Sequence, residues 1–217
     1  MAKNLLDLKE QIRRANEIGN IDNLKKKYKV AELKYQHESI KNTLKGADMF
    51  RGKCAYCESF ILHIDYGHIE HYRPKSVYPI LTFEWDNLLL ACGVCNGKQF
   101  KGDKFPMIDN ETPAFINPCE DNPFEHFSFV FDENLQKAFV YGKTIRGEIT
   151  EKELGFNNRQ DLLKYRSAHV QKLIHLAKYA KDDSKAKQLL DEACNPEESF
   201  SAFAIAIRSK YTIPTTP

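Results

Sequence analysis

The sequence contains no apolar run that approaches the ~18–20 residues of a membrane-spanning helix, so we expect no membrane span. The segment Met1–Asp7 has no long apolar stretch either, and we expect no secretory signal peptide. Internal repeats and low-complexity segments are also absent, and the formal net charge is only +2. Without a strong overall field, any surface that attracts nucleic acid must be local. These absences favour a globular protein of the reducing cytosol.

Cysteines are few, but their spacing is informative. Four of the six form two Cys-x-x-Cys pairs, which are Cys54 with Cys57 and Cys92 with Cys95. In a reducing compartment such pairs are more often metal sites than disulfides. Together they supply four thiolates for one tetrahedral Zn²⁺, and a full set of four protein ligands predicts a structural rather than a catalytic ion. A redox pair or unrelated buried thiols are the alternatives. Cys119 and Cys194 have no matching partner and are expected to be small buried hydrophobes.

Three regions are expected along the 217 residues. Residues 1–49 are predicted to form a helical hairpin, because apolar side chains recur at helical spacing over 4–18 and again from Asp22 to about Lys45. Residues 50–104 contain both cysteine pairs and are predicted to form a compact metal module. The third region, residues 105–217, supplies support or partner docking.

The third region starts with a proline-rich loop and continues into an alternating hairpin around Asp132-Glu133-Asn134. Apolar spacing then predicts a long helix over 158–180 and another that begins at Asp183 or Ser184. Asn195-Pro196 is a cap followed by proline at the first helical position, which predicts a last helix up to about Ser209.

An acid–base dipeptide, Glu70-His71, lies between the two cysteine pairs. A neutral imidazole can take a proton from water, and a neighbouring carboxylate can hold a hard cation such as Mg²⁺. Adjacent residues of a strand point to opposite faces, so both can serve one site only where the strand ends or bends. Arg73-Pro74 supplies that break, because proline forces a turn. By itself such a dipeptide is more often a surface pair.

The order of these motifs resembles the HNH endonuclease superfamily. The elements that carry the resemblance are Cys54-x-x-Cys57, the run Ile69–Lys75, the run Asn87–Ala91, Cys92-x-x-Cys95 and Asn96. The match covers residues 54 to about 104. It implies a ββα-metal fold, in which two strands and a helix hold one catalytic cation. We therefore predict an α+β protein, with a small ββα-metal HNH core and a four-Cys zinc knuckle inside a mostly helical frame.

The resemblance also implies a role for each matching residue. His71 falls on the first motif histidine and would be the general base. Asn87 falls on the motif asparagine, which orders the loop between the strands. Asn96 and Glu70 would hold the catalytic Mg²⁺ or Mn²⁺; most members have Asp or His where this chain has Glu70, and its extra methylene can displace the cation.

Basic side chains near this site are candidates for contacts with phosphate. Arg73 and Lys75 follow the strand directly, and Arg73 is also assigned to the catalytic set because its planar guanidinium suits bidentate contacts. Lys98 and Lys101 would share a face near the cation if residues 96–102 form the helix; ordinary solvated lysines are the alternative. His68 lies two residues before Glu70, and a structural or exposed histidine is preferred there over a further metal ligand.

A narrower resemblance links the chain to HNH proteins associated with retrons and with Septu-type antiphage defence. It rests on the run Ile69–Ser76, the Cys95-Asn96 pair, the run Ile116–Cys119 and the run Glu153–Asn157. These proteins are usually encoded beside an SMC/ABC-like ATPase. The resemblance therefore implies that ATPase as a partner, with room for a retron reverse transcriptase and its DNA/RNA.

Taken together, the sequence predicts a cytoplasmic, metal-dependent HNH endonuclease that cleaves phosphodiester bonds, with DNA preferred over RNA. It would be the effector subunit of an antiphage defence system. Two alternatives stay open: an RNA-directed nuclease, for example on tRNA, and a zinc-stabilised scaffold subunit whose nuclease site is degenerate.

Overall fold

The computed structural model describes residues 38–212. Its helices are α1 (Glu38–Lys45), α2 (Pro123–His126), α3 (Ile145–Glu153), α4 (Gln160–Tyr179), α5 (Ser184–Ala193) and α6 (Ser201–Thr212). Its strands are β1 (His68–His71), β2 (Leu88–Ala91), β3 (Phe127–Asp132) and β4 (Lys137–Gly142), and short 3-10 turns cover Pro79–Leu81 and Trp85–Asn87. The predicted helix over 4–18, and the second helix as far as residue 37, lie outside the described residues. None of the helices over 38–212 is long and apolar enough to span a bilayer.

Two separate antiparallel ribbons form the β structure of residues 38–212. In the first, β1 pairs with β2 from His68 opposite Ala91 to His71 opposite Leu88. Every residue of the apolar strand β2 is buried, whereas β1 buries only its last two residues, Glu70 and His71. In the second ribbon β3 pairs with β4, as the alternating pattern predicted. Helices together with two small sheets confirm the α+β class.

Local capping explains where the later helices begin. The Thr144 side chain accepts a hydrogen bond from the backbone N–H of Gly147 at the start of α3. Asp183 accepts from the backbone N–H groups of Lys185 and Ala186, which begins α5 where the sequence predicted it. Helix α4 confirms the helix predicted over 158–180, and its buried stripe is Leu162, Leu163, Val170, Leu173, Ile174 and Ala177.

The last helix begins later than predicted. Residues 195–200 form turns, and α6 starts only at Ser201. Buried Phe200 adopts a left-handed backbone conformation with a φ of 55°, which stops a helix from running through it. The Glu58 carboxylate then accepts hydrogen bonds from the backbone N–H of Ala202 and from the Ser201 hydroxyl at the start of α6. Glu58 thus does what Asn195 was expected to do.

The region after β2 consists of successive turns rather than the helix considered for residues 96–102. The backbone N–H of Asn96 donates to the carbonyl of Cys92, and that of Gly97 donates to the carbonyl of Val94. The chain then turns again at Gly102, whose φ is +43°. The two strands expected from the ββα resemblance are present, and turns occupy the place of its helix.

Buried apolar side chains from the whole described chain belong to one cluster. It extends from Ile40 in α1 through β2 and Phe115 to Ile207 in α6. The described parts of the three predicted regions therefore share a core. Their division into separate units at 49/50 and 104/105 stays a prediction.

Candidate active site and metal centre

The two Cys-x-x-Cys pairs converge on one point. The Sγ atoms of Cys54, Cys57, Cys92 and Cys95 all lie within 4.8 Å of one another. A tetrahedral Zn²⁺ with bonds of about 2.3 Å would bring the sulfurs to about 3.8 Å apart, so little adjustment is needed. Within residues 38–212 this is the one cluster of three or more Cys, His, Asp and Glu side chains near enough to share an ion. Four soft donors at this spacing fit a structural zinc.

Electrostatics also favour a cation among the four sulfurs. Burial raises the pKa of the Cys54 thiol well above its ordinary value, whereas hydrogen bonding from Cys54 lowers the pKa of Cys92. Four thiolates this close cannot all be charged without a counterion, because like charges oppose ionisation. A divalent cation removes that conflict, and all four cysteines can then ligate.

The first cysteine pair is hydrogen-bonded to the β1–β2 ribbon and thereby helps to fix the position of the strand that carries Glu70 and His71. The backbone N–H of Ala55 donates to the carbonyl of Leu90 in β2, at 2.8 Å. The Tyr56 side chain, inside the first pair, donates from its hydroxyl to Glu70 Oε1 at 3.3 Å. The zinc cluster and the acid–base dipeptide are therefore parts of one rigid assembly.

Glu70 is a buried carboxylate that forms an ion pair with the side chain of Lys101. Only 3% of the residue is exposed, and Lys101 Nζ lies 3.2 Å from Glu70 Oε1. Burial raises the pKa of Glu70 to about 7, against the lowering influence of Lys101 and Tyr56. The sequence did not predict this ion pair.

The two side chains expected to bind the catalytic cation, Glu70 and Asn96, supply oxygen donors of the type that a hard ion prefers, but only part of its coordination shell. Glu70 offers a carboxylate and half-buried Asn96 offers an amide oxygen, and Mg²⁺ is commonly bound by one or two carboxylates together with water and substrate phosphate. The backbone N–H of Lys101 donates to the carbonyl of Cys95, the residue before Asn96, while the Lys101 ammonium reaches Glu70. Lys101 therefore connects the Asn96 segment to Glu70.

His71 is held in one tautomer. Its Nε2 lies 3.0 Å from the backbone carbonyl oxygen of Thr82. A carbonyl can only accept, so Nε2 carries the proton and Nδ1 carries the lone pair. Burial, assisted by the positive charges of Lys75 and Lys101, lowers the pKa of His71 to about 4, against the raising influence of the hydrogen bond to Thr82. At neutral pH the imidazole is therefore uncharged and able to accept a proton.

Asn87 closes the loop between β1 and β2. Its Oδ1 accepts a hydrogen bond from the backbone N–H of Arg73 at 2.7 Å. Its Nδ2 donates to the carbonyls of Arg73 and Leu81, at 3.1 and 3.0 Å. This buried amide fixes both the turn that follows His71 and the segment that carries Thr82. These hydrogen bonds are those of a residue that orders the loop.

Arg73 rests on two aromatic rings. Its Cζ lies 5.0 Å from the ring centre of Phe105 and 5.4 Å from that of Tyr78. The rings contact each other edge to face, at 5.5 Å. Cation–π contacts of this kind hold a guanidinium in place and leave its N–H edge available for phosphate. Phe105 and Tyr78 were not predicted, and no motif distinguishes them from core aromatics.

Of the lysines proposed as phosphate contacts, Lys98 is exposed and Lys75 is half-buried. Lys101 corrects the expectation, because none of its side chain is exposed. Its ammonium lies under the rings of Phe105 and Phe115 and faces Glu70. A direct contact of Lys101 with substrate is incompatible with this position. The helix that would have presented it beside Lys98 is replaced by turns.

His68 does not join Glu70. Its side chain is 49% exposed, and its Nε2 lies 3.6 Å from Asp65 Oδ2, beside the second cysteine pair. The preferred expectation of a structural or exposed histidine is therefore confirmed. Cys119 was expected to be buried but is exposed, because it lies in the turn after Asn117. Cys194 is partly buried, and its thiol donates to the Leu190 carbonyl.

Comparison with known proteins agrees with this geometry. Residues 54–101 match a family model described as HNH endonuclease. Septu protein PtuB of Bacillus mycoides (strain KBAB4) is 40% identical over an aligned length of 121 residues, and the match covers 44% of this chain and 40% of that protein. Septu protein PtuB of Bacillus thuringiensis is 35% identical over 120 residues, which cover 54% of this chain and 41% of that protein.

The chain thus spans about two fifths of the length of these two curated relatives. No solved structure matches it. The predicted resemblance to HNH endonucleases and to Septu proteins is confirmed, and the link to retrons stays a prediction.

Proposed function

We propose that this chain, whose residues 54–101 form an HNH endonuclease domain, is a metal-dependent nuclease that cleaves phosphodiester bonds. The observation that supports this most strongly is the fixed tautomer of His71. Its Nε2–H donates to the Thr82 carbonyl, so Nδ1 is the basic nitrogen, and burial keeps the ring uncharged. A neutral, oriented imidazole is what a general base for water requires.

In this proposal the side chains around the base have separate tasks. Asn87 positions the backbone on both sides of His71 through its three hydrogen bonds. Arg73, held on Phe105, contacts a phosphate of the substrate. Lys75 and exposed Lys98 add positive charge for neighbouring phosphates of the same nucleic-acid strand. His71 takes the proton of the attacking water at Nδ1.

Glu70 and Asn96 would hold the divalent cation, Mg²⁺ or Mn²⁺. When bound, the cation neutralises charge on the scissile phosphate and on the leaving 3′ oxygen. The zinc cluster has no open position and is assigned a structural task. The two metals therefore have different donors and different functions.

DNA is the substrate we propose, as part of antiphage defence, by analogy with the relatives named Septu protein. A site built around phosphate does not by itself read the 2′-hydroxyl, so RNA is the alternative substrate to be tested. The analogy also supports an SMC/ABC-like ATPase as partner. A loop between the first cysteine pair and β1 exposes Ile64 by 78% and Tyr66 by 84%, an apolar surface suited to such a contact.

The test is a cleavage assay with zinc-loaded full-length chain, added Mg²⁺ or Mn²⁺, and plasmid DNA, single-stranded DNA or tRNA, with and without the ATPase. His71→Ala should lower the cleavage rate at least ~10²-fold, the usual contribution of a general base. His175→Ala is the matched control, since His175 lies in α4 outside the site, where its ring contacts that of Tyr179. Equal rates for His71→Ala and wild type would contradict the assignment.

The Lys101–Glu70 ion pair favours a second candidate function. A carboxylate already neutralised by a buried ammonium is a weaker ligand for a divalent cation. The chain would then be a zinc-stabilised scaffold subunit with a degenerate nuclease site. Absence of cleavage by the wild type on every substrate, with and without the ATPase, together with normal zinc content, would favour this second function.

A further inference from the structure

The turn between α3 and α4 contacts the second cysteine pair directly. Arg159, the residue before α4, donates a hydrogen bond from Nη1 to Cys95 Sγ at 3.1 Å. Its Cζ also lies 4.9 Å from the ring centre of Phe100. The site described above makes no use of this contact, although it reaches one of the four metal-binding sulfurs.

Hydrogen bonds fix the conformation of this turn and therefore the backbone position of Arg159. Asn157 donates from Nδ2 to the Val140 carbonyl at 2.7 Å and to Glu151 Oε1 at 2.9 Å, and its Oδ1 accepts from the backbone N–H of Val140. Gly155 has a φ of +60°, and a Cβ at this position would lie 2.5 Å from Phe100 Cε1. Glycine is thus required both for the backbone conformation and for the approach of Phe100.

Charge explains why an arginine suits this place. Zn²⁺ with four thiolates has a net charge of −2, from +2 on the ion and −4 on the sulfurs, and this cluster is largely buried. A guanidinium that donates to one sulfur offsets part of that charge and makes a charge-assisted hydrogen bond. Arginine also stacks on an aromatic face, as it does here on Phe100.

We propose that Arg159 is an outer-sphere ligand of the zinc, which stabilises the bound ion through Cys95 and attaches the C-terminal helices to the metal module. Outer-sphere partners of this kind are typically worth 10–100-fold in metal affinity. The same contact holds the backbone that continues into Asn96, because Cys95 directly precedes it. The turn over 155–159 therefore connects α4 to both metal sites.

The experiment measures zinc affinity and does not depend on nuclease activity. Full-length, zinc-loaded protein is titrated with a colorimetric chelator, and wild type is compared with Arg159→Met, which keeps an unbranched stem but removes the charge and the donors. We expect affinity for zinc to fall about 10–100-fold. Arg208→Met is the matched control, since Arg208 lies in the same C-terminal region and pairs with Asp191 at an exposed position, and its affinity should equal that of wild type.

A second readout separates a contact with the metal cluster from general support of the fold. Co²⁺ is substituted for zinc, and the thiolate-to-metal charge-transfer band is recorded. Loss of an N–H donor to Cys95 should shift this band in Arg159→Met and leave it unchanged in Arg208→Met. If Arg159→Met does not fold, Arg159→Leu, which also lacks the charge and the donors, is measured in its place under the same criteria. Wild-type zinc affinity together with an unshifted Co²⁺ band in the variant would overturn the proposal.

Discussion

Replacement of Lys101 by methionine tests the buried ion pair of the active site. Methionine keeps the stem that packs against the rings of Phe105 and Phe115 but removes the ammonium that lies 3.2 Å from Glu70 Oε1. Glu70, with 3% exposure, then has no buried cation beside it. Removal of one partner of a buried ion pair typically destabilises a protein by about 3–5 kcal/mol.

Protonation of Glu70 sets a ceiling on this loss. Because the pKa of Glu70 in the folded wild type is about 7, protonation costs almost nothing at pH 7 and about 2.7 kcal/mol at pH 9, since each pH unit corresponds to about 1.36 kcal/mol. The variant can take this route instead of keeping an unpaired buried charge, and the Tyr56 hydroxyl still contacts the protonated carboxyl. We therefore expect Lys101→Met to lower the free energy of unfolding by less than about 1 kcal/mol at pH 7 and by up to about 2.7 kcal/mol at pH 9.

Urea denaturation of zinc-loaded protein at pH 7 and at pH 9 measures this loss. Lys98→Met is the matched control, because Lys98 is exposed three residues earlier, and it should change stability by less than about 0.5 kcal/mol. The double variant Lys101→Met, Glu70→Gln removes both charges and should recover much of the stability. A loss for Lys101→Met alone that is no larger at pH 9 than at pH 7 would refute the reasoning, because the pair would then not be buried as described.

Three further predictions follow from other contacts. Cys92→Ser should abolish stoichiometric zinc in elemental analysis and unfold the metal module, since a structural zinc supplies folding energy; a folded, zinc-free variant would contradict this. Phe105→Leu removes the ring under Arg73 and should raise KM about 3–10-fold with a smaller change in kcat, whereas a pure kcat effect would speak against a positioning role. Although burial raises the pKa of Asp121, its hydrogen bonds from Arg146 and a backbone N–H lower it overall, so the pair stabilises the fold above pH 3.8 and less below it. Asp121→Asn should therefore be less stable than wild type at pH 7, with the difference narrowing in acid, and a difference independent of pH would contradict the assignment.

The sequence was most informative where a local pattern fixes the structure by itself. Paired cysteines at a two-residue gap can meet around one ion only if the chain turns there, and the four sulfurs do meet. The stripe in α4 and the Asp183 cap likewise depend on neighbouring residues alone, and both were predicted correctly. The turn within each cysteine pair, the stripe and the cap need no knowledge of distant contacts, whereas the meeting of the two pairs, which 34 residues separate, was inferred from the four ligands that zinc requires.

Other features depend on residues far apart in the chain and could not be predicted. Lys101 was expected to share a helix face with Lys98 near the cation, but it is buried, which is rare for lysine, and its partner Glu70 lies 31 positions earlier. The start of α6 is fixed by Glu58, the residue that follows the first cysteine pair, rather than by the local Asn195-Pro196 signal. In both cases a tertiary contact overrides a sound local preference.

The buried position of Lys101 changes the expected chemistry of the candidate active site. A surface Lys101 would only have added charge for substrate, whereas a buried Lys101 sits between the Glu70 carboxylate and the segment that begins at Asn96. The ammonium already supplies the positive charge that a divalent cation would bring to Glu70. Metal binding at this carboxylate must therefore proceed against Lys101 or with its displacement, and the strength of the Lys101–Glu70 pair then determines how readily the site accepts its cation. The nuclease and scaffold interpretations differ on this one interaction, so measurements on Lys101 variants discriminate between them.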